Sequence, residues 1–165
     1  MPQIYSAAFI GKTRVASAGK SGELRIWDVA TSDGQVIYIL PAAHFTHISS
    51  LAVNADATWL ASGAWDCQAK LFSFGTAVTS GVVGSPDSPS RFSLEPVATF
   101  SHRDWVWSVA FASNSRLVTG TESGEVRIWN CLFPFECVGL LGWSLLFLLW
   151  LLLPPPPNSN LTFFV

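Results

Sequence analysis

The sequence has few charged residues and few cysteines, and these shortages exclude several classes of protein. Charged residues make up 12% of the 165 residues and the net charge is −2, so no basic surface for nucleic acid is expected. The three cysteines, Cys67, Cys131 and Cys137, are odd in number and form no CxxC pair, which argues against a disulfide framework or a zinc site. The first apolar run, residues 7–10, is too short for a signal peptide.

Motifs of catalytic sites are also missing. The chain has no GxSxG, no HExxH and no metal-ligand spacing. Gly-Lys-Ser at residues 19–21 looks like the end of a phosphate-binding loop, but Arg14 stands where such a loop needs its first glycine. Asp104 lies near His102 in sequence, yet no nucleophile or metal site accompanies the pair. We therefore expect no enzymatic activity, no cofactor and no bound metal.

One pattern occurs three times along the chain. Residues 17–28 (SAGKSGELRIWD) align without gaps with residues 119–130 (TGTESGEVRIWN), and residues 62–73 (SGAWDCQAKLFS) are a weaker copy. Around each copy, stretches of alternating apolar residues are separated by Gly, Ser, Asn and Asp, which predicts short antiparallel strands joined by turns. Three copies in one chain indicate a repeat architecture.

The repeats resemble those of the WD40 family. The resemblance is carried by His44 and His102 at the starts of the second and third repeats, and by Trp-Asp and Trp-Asn at 27–28 and 129–130. In that family each repeat contributes four strands to the blades of a β-propeller. The resemblance implies an all-β fold, an incomplete WD40-type propeller of about two and a half to three four-stranded antiparallel blades.

The repeats are expected to occupy residues 1–130. Blades are expected at about 1–30, 35–74 and 96–130, with a flexible loop at 75–95 that is rich in Gly, Ser and Pro. A propeller typically closes with four to eight blades. We therefore expect the remaining blades to come from missing sequence or from another chain.

A polar network inside each blade is implied by the same resemblance. The family joins a turn Asp, the starting His, a Ser or Thr of the second strand and the Trp of the third strand. The matching residues here are Ser17 and Trp27 in the first repeat, His44, Ser62 and Asp66 in the second, and His102, Thr119 and Trp129 in the third. Ser21, Phe72 and Ser123 replace other members of the network. Because no repeat holds all four, each blade is expected to be held more loosely than a consensus blade.

Partner binding is the function that the resemblance implies. Family members bind partners on one rim, made by the turn before the third strand and the loop that enters the first. The corresponding positions are Lys20, Thr46, His47, Trp65, Arg103, Asp104, Trp105 and Glu122. Trp65 lies in a tight turn, and exposed Trp is typical of interface hot spots. Trp105 and Trp107 flank Val106 and are expected on one strand face, with core packing as the alternative.

An apolar tail follows the repeats at residues 131–165. Its segment 137–153 carries no charge and is marginally long enough to cross a membrane as a helix, which takes about 20 residues. Three interpretations are open: a membrane anchor, an abrupt end to the genuine coding frame, and a buried helix. The change of composition directly after Asn130 favours the second, and the buried helix lacks an amphipathic partner.

These observations predict a non-enzymatic scaffold that binds other proteins, a fragment or truncated form of a larger propeller protein. A peptide or phosphopeptide reader is a narrower version of the same hypothesis. The alternative is a membrane-anchored WD40 interaction protein held by residues 137–153. The first predicts a cytoplasmic or nuclear location, and the second predicts a membrane location with the repeats facing the cytosol.

Overall fold

The computed structural model describes residues 3–30, 33–76, 92–132 and 134–141, which form three four-stranded antiparallel sheets and contain no helix. The first sheet comprises β1 (Ile4–Ile10), β2 (Arg14–Gly19), β3 (Leu24–Asp28) and β4 (Gln35–Leu40). The second comprises β5 (Ile48–Val53), β6 (Trp59–Ala64), β7 (Gln68–Thr76) and β8 (Phe92–Ser101). The third comprises β9 (Val106–Ser113), β10 (Arg116–Thr121), β11 (Val126–Asn130) and β12 (Cys137–Leu141). The expected all-β class is confirmed for the described residues.

Each sheet contains its four strands in chain order, and the sheets are offset by one strand from the sequence repeats. β4 pairs with β3, and β8 pairs with β7, so each closes the sheet that precedes it along the chain. The strands expected to open the blades at 35–74 and 96–130 are therefore the outer strands of the previous sheets. Consecutive strands joined by short connections pair with each other, which explains this offset.

The first part of the apolar tail is a strand. Cys137–Leu141 pairs with β11 as β12, so the predicted membrane segment 137–153 begins with five strand residues and not with a helix. Pairing satisfies the backbone groups that β11 would otherwise leave open, which explains why the strand pattern continues beyond Asn130. Residues 142–153 lie outside the described residues. Among the described residues, no helix has the length and apolar character needed to cross a membrane.

The expected loop at 75–95 is shorter than predicted. β7 continues to Thr76 and β8 begins at Phe92, so the two strands take residues from both ends of the predicted loop. Their long pairing, which joins Gly75 to Ser93 and Thr76 to Phe92, supplies hydrogen bonds that the Gly- and Ser-rich composition did not suggest. Residues 77–91 lie outside the described residues.

The turn between β2 and β3 depends on Gly22. Its φ of +71° lies in the left-handed region, where a residue without Cβ carries little strain. Its carbonyl accepts a hydrogen bond of 3.0 Å from the backbone N–H of His44, at the entrance to the next sheet. Cys67 holds the equivalent position in the second repeat, with a φ of +63°, and its carbonyl accepts from the N–H of His102 at 2.9 Å. The same turn therefore connects each sheet to the next.

Two hydrophobic cores lie between the three sheets. The inner strands β1, β5 and β9 lie side by side in that order, so the second sheet is covered on both faces. On β7, Phe72 packs into the core shared with the first sheet, and its neighbour Leu71 packs into the core shared with the third. Side chains of successive strand residues point to opposite faces, which is why one strand serves both cores.

Candidate functional site

The third sheet contains a chain of buried hydrogen bonds centred on Thr119. The indole Nε1 of Trp129 donates to Thr119 Oγ1 at 2.9 Å, and Thr119 Oγ1 lies 2.7 Å from Nε2 of His102. Nδ1 of His102 lies 3.0 Å from the carbonyl oxygen of Phe100. Because a carbonyl only accepts, Nδ1 carries the proton, and Nε2 of the neutral ring accepts from the Thr119 hydroxyl. The three side chains predicted for this network are in contact.

His102 is held in its neutral form. Burial lowers the pKa of His102 below its ordinary value, and the positive charge of Arg127 lowers it further. Arg127 lies close by, with its guanidinium 5.7 Å from the ring centre of Trp129. A neutral ring is what the hydrogen bond from the Thr119 hydroxyl requires, so the electrostatics and the geometry of this network agree.

We expect the folded chain to lose stability in mild acid through His102. Its pKa is depressed on folding, so the unfolded chain binds the proton more readily, and the free energy of unfolding falls as the pH drops below the ordinary value of 6.5. The measurement is urea unfolding from about pH 7.5 to about pH 5.5, on the wild type and on His102→Gln. The difference between the two proteins should grow smaller as the pH falls, because only the wild type contains His102 and loses its contribution. If the difference in free energy of unfolding between the two proteins stayed constant across this pH range, the assignment to His102 would be contradicted.

The second sheet uses a different set of polar contacts. Nδ1 of His44 lies 3.0 Å from Asp66 Oδ2, and its Nε2 lies 2.6 Å from Ser62 Oγ. Burial raises the pKa of Asp66, but the interaction with His44 and the hydrogen bonds from the backbone N–H groups of Phe45 and Gln68 lower it, and the pKa is lowered on balance. Phe72, which is 1% exposed, fills the place of the tryptophan and offers no donor to Ser62.

The first sheet retains the fewest members of the network. Nε1 of Trp27 donates to Ser17 Oγ at 2.7 Å, and the hydroxyl of Ser21 accepts from the N–H of Glu23 at 3.4 Å. All eight residues predicted for these networks therefore make hydrogen bonds within their own sheets. Because the contacts hold strands and turns together, this part of the molecule is structural, and no group of residues suited to a metal ion occurs in the described ranges.

One end of the sheets is made by a hydrogen bond that recurs in each repeat. The donor is the backbone N–H of a residue in the turn between the second and third strands of the sheet. The acceptor is the carbonyl of the residue just before the first, innermost strand of the same sheet. The pairs are Lys20 to Gln3 at 2.9 Å, Trp65 to His47 at 3.0 Å and Glu122 to Trp105 at 3.0 Å. Five of the predicted rim residues thus hold equivalent positions at one end of the molecule.

An aromatic cluster occupies this end, and its members are Tyr5, His47, Trp65, Trp105 and Trp107. Trp65 is at its centre. Its ring stacks on Trp105 with centroids 4.9 Å apart and an interplanar angle of 9°. Its ring centroid also lies 5.3 Å from that of Trp107 and 4.7 Å from that of His47, whose ring is inclined to it by 71°. Trp105 and Trp107 remain 42% and 44% exposed, so the expected alternative of core packing does not describe either of them.

Bulges in the inner strands place further side chains at this end. At this end, the pairing of each inner strand with its neighbour skips one residue: Tyr5 in β1, Ser49 in β5 and Trp107 in β9. A bulge redirects the side chain of the extra residue. These three residues and Trp65 line a cavity of about 280 Å³.

The other predicted rim residues surround the cluster. Asp104 Oδ1 accepts a hydrogen bond of 2.7 Å from the N–H of Trp105. Thr46 and Arg103 are exposed residues of the loops that enter β5 and β9. The prediction of rim residues missed Tyr5 and Ser49. Both match the position of Trp107 in the third repeat, which was not among the predicted rim residues either.

Comparison with known proteins identifies the repeats. The model of the WD domain, G-beta repeat, matches residues 31–73 and 94–130, the two ranges that contain His44 and His102. The chain belongs to the WD40-repeat family. The resemblance predicted from the sequence is thereby confirmed, and the three four-stranded antiparallel sheets are consistent with blades of a partial WD40 propeller.

Curated relatives share the repeats at low identity. The ribosome biogenesis protein WDR12 homolog of Drosophila virilis is 23% identical over 120 residues, which cover 73% of this chain and 28% of the relative. The WDR12 homolog of Culex quinquefasciatus is 28% identical over 123 residues, which cover 70% of this chain and 28% of the relative. This WD40 chain thus spans about 28% of the length of these relatives.

Solved structures share the fold. The WD40 repeats of RRP9 superpose with a TM-score of 0.69 at 21% identity, covering 86% of this chain and 39% of that one. The structure of U3-55K gives the same TM-score and identity and is covered over 40% of its chain. At this identity the likeness establishes the WD40 fold alone.

Proposed function

We propose that this WD40 chain is a non-enzymatic scaffold that binds protein partners through the end that carries the aromatic cluster. The observation that supports this most directly is the exposure of Trp105 and Trp107 beside the central Trp65. Tryptophan is enriched in the hot spots of protein interfaces, where a few large side chains carry most of the binding free energy. A contiguous apolar surface of this kind is typical of an interaction site.

A protein partner fits this end better than a nucleic acid does. The charged rim residues are two cations, Lys20 and Arg103, and two anions, Asp104 and Glu122. Nucleic-acid surfaces need an excess of Lys and Arg, because phosphate contacts supply most of the affinity. The rim has no such excess, and the net charge of the chain is −2.

The scaffold is proposed to work as part of a larger propeller. Ile4 of the first sheet and Leu141 of the third are 54% and 59% exposed, although the equivalent residues of the second sheet, Ile48 and Phe100, are buried. Apolar sheet faces of this kind are suited to further blades, from missing sequence or from another chain. The names of the WDR12 homologs suggest ribosome assembly as the process served, and hence a nuclear location.

We expect Trp65→Ala to weaken partner capture at least about tenfold, as truncation of a hot-spot residue does. The measurement is affinity capture from nuclear extract with the full chain as bait, followed by quantitative mass spectrometry. Leu132→Ala is the matched control, since Leu132 is a large apolar residue, 56% exposed, at the opposite end of the sheets. Thermal unfolding of all three proteins checks that each bait is folded.

The capture experiment also tests the proposed process. Proteins that depend on Trp65 and not on Leu132 should include ribosome assembly factors. Equal capture by the wild type and Trp65→Ala would show that the aromatic cluster is not the binding surface.

A further inference from the structure

We propose that the cavity lined by Tyr5, Ser49, Trp65 and Trp107 binds the methylated ammonium group of a lysine side chain from a protein partner. This inference rests on the proposed scaffold function and names the chemistry that the partner would present. It depends on three features of the cavity: its aromatic walls, the absence of a carboxylate among its lining residues and its size.

The walls are arranged to surround a ligand. The rings of Trp65 and Trp107 are tilted by 58° with centroids 5.3 Å apart, so they meet at an angle. Tyr5 and Trp107 are the extra residues of bulges in β1 and β9, which place their side chains on the same cavity. Aromatic faces carry negative potential and attract cations, and cages of such rings bind methylated ammonium groups.

Trp65 is kept in place by its neighbours. Trp105 stacks on one face of it, and the ring of His47 packs against it nearly at right angles, with centroids 4.7 Å apart. Its indole Nε1 and Nδ1 of His47 are buried and lack hydrogen-bond partners in the described part of the chain. Buried polar atoms without partners cost stability, so they are usually found where another requirement sets the arrangement. Here, that requirement would be to hold Trp65 in place as a preformed wall of the cavity.

The polar atoms of the cavity favour a methylated ammonium over other cations. A guanidinium brings five N–H donors and an unmodified ammonium brings three, and each needs an acceptor. None of the four lining residues is a carboxylate. Ser49 Oγ donates to the carbonyl of Gly63 at 2.9 Å and Tyr5 donates its hydroxyl to Gln3 at 3.2 Å, so these two hydroxyl oxygens are the side-chain acceptors that the lining residues offer. A trimethylammonium group has no N–H to satisfy and keeps its charge.

The dimensions suit one side chain. The cavity of about 280 Å³ is slightly smaller than the pockets of roughly 300–1,000 Å³ that hold whole small molecules. Tyr5 and Trp107 are each 44% exposed, so the cavity opens to solvent and a side chain can enter from a bound peptide.

The test uses three blocked Gly-Lys-Gly peptides and the full chain. The lysine is unmodified in the first, trimethylated in the second, and in the third a neutral tert-butyl group replaces the trimethylammonium group. Binding is followed by NMR of the tryptophan indole N–H signals. The trimethylated peptide should bind about tenfold more tightly than either of the others. Equal binding of the neutral peptide would overturn the assignment to a cation, and equal binding of unmodified lysine would overturn the assignment to methylation.

Variants locate the site. Trp107→Ala should abolish the preference for the trimethylated peptide, and Trp107→Phe should keep part of it, because phenylalanine retains a π face. Phe45→Ala is the matched control, since Phe45 is 86% exposed and does not line the cavity. Full preference in Trp107→Ala would overturn the site.

The two proposals fail separately. If partner capture depends on Trp65 but no peptide shows a preference for methylation, the scaffold stands and the ligand assignment is wrong. If the peptides show the preference but capture is unchanged in Trp65→Ala, the cavity binds methylated lysine and the proposed scaffold surface is wrong.

Discussion

Gly22→Ala should lower the free energy of unfolding by about 3 kcal/mol, because two penalties act on one methyl group. The φ of +71° places the new residue in the left-handed region, which is unfavourable for alanine. The added Cβ would also overlap backbone atoms of the next blade: it would lie 2.4 Å from the carbonyl oxygen of His44 and 2.7 Å from that of Thr46. Those atoms belong to the loop that positions His44, so the loop would have to move.

Gly11→Ala separates the two penalties. Gly11 has a φ of +63°, and a Cβ there meets nothing within 4 Å. This control should therefore lose only the conformational part, about 1 kcal/mol. Urea unfolding of the two variants and the wild type measures the difference. Equal losses in both variants would mean that the close contact between the first and second blades contributes nothing.

Thr119→Val should lower the free energy of unfolding by a similar amount, about 3 kcal/mol, since it leaves two buried groups without partners. Valine has nearly the shape of threonine, so packing is retained. The indole N–H of Trp129 loses its acceptor and Nε2 of His102 loses its donor, and both groups are buried between the second and third blades. Chemical denaturation followed by tryptophan fluorescence is a suitable measurement.

The control for Thr119→Val is Thr99→Val. Thr99 is an exposed residue of β8, so the same chemical change removes no buried hydrogen bond there, and an effect within about 0.5 kcal/mol is expected. A small effect at position 119 would show that the network holds the third blade less firmly than its geometry indicates.

The three blades use the same frame with different polar contents. The third blade has a neutral histidine, a threonine and a tryptophan in one hydrogen-bonded chain. The second replaces the tryptophan with Phe72 and adds the carboxylate of Asp66. The first keeps only the bond between Trp27 and Ser17. Because every buried polar group in these networks has a partner, loss of one family residue is tolerated where its partners are also changed or satisfied elsewhere.

Much of this fold follows from local sequence. The alternation of apolar residues places the strands, since it decides which face of each is buried. The turn at Gly22 could be predicted because a left-handed residue between two strands favours glycine. The contacts of His44 with Ser62 and of His102 with Thr119 could be predicted because the repeats themselves align. These features depend on residues that lie close in sequence or hold matching positions in a repeat.

The aromatic cavity could be predicted only in part. Trp65 and Trp105 were expected on the rim, but Tyr5 and Ser49 were not. Their placement depends on bulges in β1 and β5, and a bulge is a property of the register between two paired strands, which the period of one strand does not reveal. The contact of Trp65 with Trp107 likewise joins two blades, so it is set by how the sheets pack.

The sequence alone determined the repeats, their turns and the polar residues inside each blade, because these depend on spacing within one repeat. Tertiary structure decided which strand belongs to which blade, and it made Cys137–Leu141 a strand where the apolar composition had left a membrane-spanning helix among the alternatives. The physical reason is the same in both cases. An outer strand forms because the unpaired backbone N–H and C=O groups of the neighbouring strand need hydrogen-bond partners. Those groups belong to the rest of the sheet, so the composition of the outer segment alone does not reveal that it will pair.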